Sequence, residues 1–307
     1  MRFTIAFISN LIYFKRKDNS MNHFQPSIDI IGESLLLPSS GALTIPMTND
    51  YLFRALLQRN NKVLKGLISA LLHISPTDIS SAVITNPIEL GNHIDQKTFI
   101  LDIRVSLNDA AILNLEMQVI NEHNWIERSL SYLCRNFDQL KTGEEYQEAR
   151  PVIQIGLLNF TLFPKLPEFF ATYKFLNVKN HSLYSDKLQI RVLDLTHIDL
   201  ATMEDKQYQL DHWASLFKAK TWEEVMMLAQ KNQCIGEAAE TIYQLSQEEK
   251  IRLQCEARED YYRTQLGWQN MLKERDSVIQ NQKNQLIEQQ NNYEKLLTWA
   301  REHGYES

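Results

Sequence analysis

Two neighbouring runs of alternating residues constrain this chain more than any other feature. The first is Lys97 to Val105 (KTFILDIRV) and the second is Ala111 to Val119 (AILNLEMQV). Successive side chains on a strand point to opposite faces. Phe99, Leu101, Ile103 and Val105 then share one face of the first run, and Leu113, Leu115, Met117 and Val119 share one face of the second. Asp102 and Arg104 fall on the other face of the first, and Asn114, Glu116 and Gln118 on the other face of the second. The link between the runs carries an Asn108-Asp109 turn signal. A two-residue turn there would pair Leu107 with Ala110 and set Asp102 against Leu115, which scrambles the apolar faces. A three-residue loop, Asn108 to Ala110, pairs Leu107 with Ala111 and aligns them. Burial therefore selects the longer loop, and the longer loop sets Asp102 opposite Glu116.

Opposed residues on an antiparallel pair have Cβ atoms about 4.5–5.5 Å apart, close enough for two ionised carboxylates to repel. Two readings follow. The face is either solvated, with Asp, Glu and Gln as ordinary surface residues, or it holds a divalent cation such as Mg²⁺, which takes oxygen ligands and keeps several waters. Asp50 opens a helical run with Phe53, Leu56 and Leu57 on its apolar side, where an acidic residue commonly complements the helix dipole. A helix is expected over 125–141, with Ile126, Leu130, Leu133, Phe137 and Leu140 as its core stripe. Arg128, Tyr132 and Arg135 fall on another face, as a solvated basic face or as contacts to phosphates. Residues 151–160 (PVIQIGLLNF) read as a buried central strand, and Leu188 to Leu195 as a further strand.

Residues 46–200 resemble the Rpn-type recombination-promoting nuclease and transposase family, a branch of the PD-(D/E)XK nucleases. Five segments carry the resemblance in order: Thr48 to Arg54, Leu101 to Arg104, Asn114 to Gln118, Arg128 to Tyr132, and Gly143 to Tyr146 leading into Arg150 to Ile155. Arg54 stands where Lys is usual, and Asp109-Ala110 lacks the frequent loop glycine. The resemblance implies an α/β, restriction-endonuclease-like core, a mixed sheet flanked by helices, followed by a helical C-terminal extension. It implies Mg²⁺ or another divalent cation, with Asp102, Glu116 and Gln118 as catalytic residues. Asp102, Glu116 and Asp50 would be the metal contacts, and Arg54, Arg128, Tyr132 and Arg135 the DNA-phosphate contacts. Gln118 replaces the superfamily's usual Lys. An amide orients water only by hydrogen bonds, so activation of that water falls more heavily on the metal. The expected activity is DNA endonuclease cleavage connected with recombination or mobile elements. The alternative is a catalytically idle nuclease fold serving as an oligomeric interaction or defence module.

The rest of the chain sets limits. Its 307 residues are 44% hydrophobic, which suits a globular core plus an appendage. Three cysteines without metal-ligand spacing suggest a reducing, cytoplasmic setting, and no apolar run is long enough to span a membrane. No P-loop, dinucleotide glycine motif or zinc-type His spacing occurs. The net charge is −6, so DNA binding is expected to be weak, salt-sensitive and dependent on bound metal. Residues 1–45 read as an N-terminal extension, mobile or reflecting a misplaced gene start. Residues 46–200 form the expected core and 201–236 a helical segment with Thr221 as an N-cap. Residues 237–307 form a long helical tail. There Leu272, Ile279, Leu286 and Tyr293 recur every seven residues, with companions Arg275, Gln282, Gln289 and Leu296. That is a weak coiled-coil seam, either a solvated helix or a homo-oligomerisation arm.

Overall fold

The computed structural model describes residues 37–88, 90 and 102–305. Residues 1–36 of the expected extension and Lys97 to Leu101 of the first run lie outside the described residues. The described strands form one mixed sheet of six in the order β1-β2-β3-β4-β6-β5. They are β1 (Ala82–Ile84), β2 (Ile103–Leu107), β3 (Ala111–Gln118), β4 (Val152–Leu158), β5 (Phe170–Leu176) and β6 (Leu183–Asp194). β2 and β3 make the expected hairpin: Leu107 pairs with Ala111 and Ile103 with Leu115. Asn108 and Asp109 take left-handed backbone angles, φ 51° and 52°, a conformation that Asn and Asp tolerate better than other side chains. This chemistry makes the three-residue loop workable without glycine.

β3 runs parallel to β4, and β4 to β6, while β5 closes the edge antiparallel to β6. Parallel strands need cover on both faces. One face carries Leu113, Leu115, Ile153, Ile155 and Leu193, all buried in the main core. α1 (Asp50–Arg59), α2 (Asn61–Leu72) and the C-terminal helices contribute the rest of that core. The other face is covered by α3 (Trp125–Phe137), which packs on β3, β4 and β6.

α3 departs from its expected orientation. It ends at Phe137, and its buried residues are Trp125, Ser129, Leu133 and Asn136. Ile126 and Leu130, expected in the core stripe, are exposed. Trp125 explains the rotation. It lies over Gly156, where an added Cβ would come within 2.2 Å of the indole. Only a glycine lets the large ring reach the sheet, and burying such a ring outweighs exposing two aliphatic side chains.

The chain continues through α4 (Met203–Gln207), α5 (Leu210–Lys218), α6 (Trp222–Ala229), α7 (Gln233–Gln247) and α8 (Glu249–Glu302). Thr221 caps α6 as expected, its hydroxyl accepting from the Glu224 amide. The expected unbroken run from Glu237 divides at Glu248, whose backbone is extended. The core does not stop near residue 200 either: Trp213, Phe217, Ile235, Ala238, Ile242, Leu245 and Cys255 all belong to it. The chain divides into two units, Met1–Arg258 and Glu259–Ser307, the second being helical. No described helix is long and apolar enough to cross a membrane.

Candidate active site

Asp102 stands one residue before β2. Extending the hairpin register by one step sets it opposite Glu116. Its backbone is clamped from two sides. The Asn86 side chain donates to the Asp102 carbonyl at 3.0 Å and accepts from the Arg104 amide at 2.8 Å. The guanidinium of Arg54 also donates to the carbonyl oxygens of Asp102 and Asn86. Arg54 is 1% exposed. The expected phosphate contact at Arg54 is therefore corrected: a side chain so enclosed fixes the start of β2 and cannot meet a DNA backbone. Burial raises the Asp102 carboxyl above the usual range, and the positive charge of Arg54 opposes that.

Glu116 is 3% exposed, which rules out the solvated-face reading at this residue. Burial pushes its carboxyl up to about 7, against the pull of Arg128 and with the added repulsion of Asp102. One oxygen, Oε1, is well supplied. Arg128 Nη2 approaches it at 2.6 Å, and Gln118 Nε2 donates to it at 2.7 Å. The other, Oε2, is buried with no hydrogen-bond partner, and so is Asp102 Oδ1. Buried carboxylate oxygens are normally satisfied, and an orphaned one points to an absent ion or water. Two such oxygens on facing residues are the donor chemistry that a hard divalent cation takes. A metal therefore fits Asp102 and Glu116.

Asp50 is not brought to this pair. Asn49 caps α1, and the Asp50 carboxylate receives Arg258 Nε at 3.0 Å and Nη2 at 2.5 Å. Both side chains are 8% exposed. With both oxygens bound by a bidentate guanidinium, the expected metal contact at Asp50 gives way to an ion pair that fastens α8 to α1. No group of three or more His, Cys, Asp or Glu side chains is gathered as a metal site among the described residues.

Arg128, Tyr132 and Arg135 do share a face of α3. The guanidinium carbons of Arg128 and Arg135 lie 5.6 and 5.9 Å from the Tyr132 ring centre. The expectation did not separate the two arginines, whereas the structure does: Arg128 turns inward onto Glu116, and Arg135 stays exposed. Three contributors escaped the sequence reading. Trp125 roofs the sheet beside Glu116, Gly156 pairs with Glu116 in register, and Asn86 braces Asp102. Gly156 did carry a signal, being the one glycine in an apolar strand.

A family model described as PD-(D/E)XK nuclease family transposase matches residues 47–275. Searches of curated proteins and of solved structures found no match.

Proposed function

This chain belongs to the PD-(D/E)XK nuclease transposase family, and from that premise we propose that it is a metal-dependent DNA endonuclease. The observation that carries the reading is that two residues opposed in register each hold a buried oxygen without a hydrogen-bond partner, Asp102 Oδ1 and Glu116 Oε2. Asp102 and Glu116 would hold a divalent cation, for which Mg²⁺ is the natural candidate. Bound there, such a cation would supply Lewis acidity, lowering the pKa of an attacking water and offsetting charge on the phosphate. Gln118 is tied to Glu116 by its amide nitrogen, which leaves its carbonyl oxygen to accept from that water and orient it. Asn86 and Arg54 keep Asp102 from drifting at the strand's open end. Arg128 and Arg135, both beside the Tyr132 ring, supply positive charge to the scissile phosphate. The reaction is direct hydrolysis of a phosphodiester bond, without a covalent intermediate on the protein.

Nicking of supercoiled plasmid tests this. The wild-type chain should nick with Mg²⁺ and stop with EDTA, while Asp102→Ala should lose roughly two orders of magnitude or more in rate. Gln118→Lys should lower the Mg²⁺ concentration needed for half-maximal nicking. Equal rates for wild type and Asp102→Ala would refute the site. Inactivity of both would favour the idle interaction module.

A further inference from the structure

A cavity of about 490 Å³ lies on the face of the sheet opposite Glu116 and is lined from the β2–β3 loop across to β5. Arg191 on β6 faces Thr172 on β5, and Lys174 faces Gln189 two pairs further on, on the same face. These four side chains replace the apolar lining that the same sheet face carries elsewhere. The C-terminal end of α2 and the start of α4 close the cavity over them.

Two cations, Lys174 and Arg191, and two carboxylates, Glu204 and Asp205, line this cavity, and the carboxylates lie by His73. Arg191 Nη1 donates to the Leu71 carbonyl at 2.7 Å, and Nη2 reaches Gln189 Oε1 at 3.4 Å. Its Nε is buried with no hydrogen-bond partner. Burial pushes the Arg191 guanidinium down to about 10. The Lys174 ammonium is lowered first by burial and then by Arg191 itself. Two of the nearby carboxylates lie against His73. Asp205 lies 3.1 Å from His73 Nε2 and accepts from the amide and hydroxyl of Thr202, while Glu204 lies 3.9 Å from His73 Nδ1. Glu204 acts on Arg191, and Asp186 on Lys174, as longer-range charges. A buried cation kept for structure is normally paired directly. Two adjacent cations that make no close ion pair among the described residues, facing an open cavity, suit an incoming anion.

We propose that this cavity is a second ligand site, separate from the carboxylate pair, that binds a phosphate monoester carrying a flat ring, a mononucleotide being of suitable size. A phosphate monoester carries about −1.5 to −2 at neutral pH, which matches two cations, whereas a carboxylate matches one. The guanidinium fork suits phosphate oxygens, and Lys174 adds a point charge beside it. Phe170, with the His73 ring 5.4 Å away, and the apolar side chains of Leu72 and Ile153 receive the ring. The volume falls within the range of small-molecule sites.

The test is calorimetric titration of the full chain in EDTA with 5′-deoxyadenosine monophosphate, deoxyadenosine and inorganic phosphate. The monophosphate should bind about tenfold or more tightly than either fragment. Lys174→Gln should weaken it by about tenfold, and Asp102→Ala should leave it unchanged. Lys174 is half-buried and makes no close ion pair among the described residues, so its substitution should preserve the melting temperature. Deoxyadenosine or phosphate binding as tightly as the monophosphate would overturn the proposal. So would wild-type affinity in Lys174→Gln. Loss of binding in Asp102→Ala would move the ligand to the carboxylate pair and also overturn it, leaving the nuclease reading to the nicking assay.

Discussion

Glu116 opposes folding whenever it is charged, because the folded chain encloses it more than Arg128 can compensate. Its carboxyl titrates near 7 folded and near 4.5 unfolded, so between those values the folded chain holds a proton that the unfolded chain has released. Stability contributed at this residue is therefore greatest below pH 4.5, falls as pH rises through the window, and levels off above 7. Glu116→Gln removes the titration. In EDTA, the melting temperature of Glu116→Gln relative to wild type should rise from pH 5 to pH 8, by the equivalent of about 2–3 kcal/mol. A constant offset across that range would contradict the burial assignment. Gly156 makes a second residue-level case. Gly156→Ala forces its Cβ into Trp125, and overpacking of this kind costs about 1–3 kcal/mol, measurable as a lower urea midpoint at unchanged slope. The nicking rate should fall as well, since the displaced indole would admit water to Glu116. The facing of Asp102 and Glu116 was legible because parity and one loop length decide it. The inward turn of Arg128 and the burial of Arg54 were not, since a charged residue on a helix gives no local sign of the carbonyl or carboxylate waiting across the core.

Stretches that keep a two-residue or wholly apolar pattern, β3, β4, the described part of the first run in β2 and residues 188–194 of β6, could be read directly, whereas residues 183–187 of β6 could not. β1 and β5 could not. β1 has three residues, and β5 (FATYKFL) exposes most of its length, with a register shift near Phe175 that breaks its alternation. α3 misled for a physical reason: helical spacing allowed two adjacent stripes, and the one chosen by a large ring over a glycine was not the more aliphatic. α1 shows the same dependence on distant sequence. Its first acidic residue looked like a metal contact, yet its partner comes from α8, 208 residues further along the chain. Asp50→Asn should therefore act on stability. Removing one charge of a buried pair costs about 3–5 kcal/mol, seen as reduced chemical stability. Among molecules still folded at low temperature, the Mg²⁺ dependence of nicking should stay at its wild-type value. A raised Mg²⁺ requirement would return Asp50 to the metal site.

At the scale of the whole molecule, the two units differ in how they satisfy their apolar residues. Residues up to Arg258 enclose a main core between one sheet face and most of the helices, and smaller clusters under α3 on the other face. Beyond them α8 continues to Glu302, and along it Trp268, Leu272, Ile279, Leu286, Tyr293 and Leu296 are exposed. An isolated helix gains little from propensity alone and normally depends on burying a face. Leu272, Ile279, Leu286 and Tyr293 repeat at seven residues, the period at which a second helix could cover them, although Arg275, Gln282 and Gln289 dilute the seam. Each leucine or isoleucine buried would contribute roughly 1.5–3 kcal/mol before the ordering of long polar neighbours is subtracted. That difference suits a reversible dimer better than an obligate one. Sedimentation velocity on the full chain should show a concentration-dependent monomer–dimer equilibrium, and the chain ended after residue 265 should sediment as a monomer throughout. The shortened chain keeps Arg258 and hence the Asp50 ion pair, so its core should melt within a few degrees of the full chain. An unchanged oligomeric state after truncation would mean that the helix stands in solvent by itself and that any self-association belongs to the nuclease core.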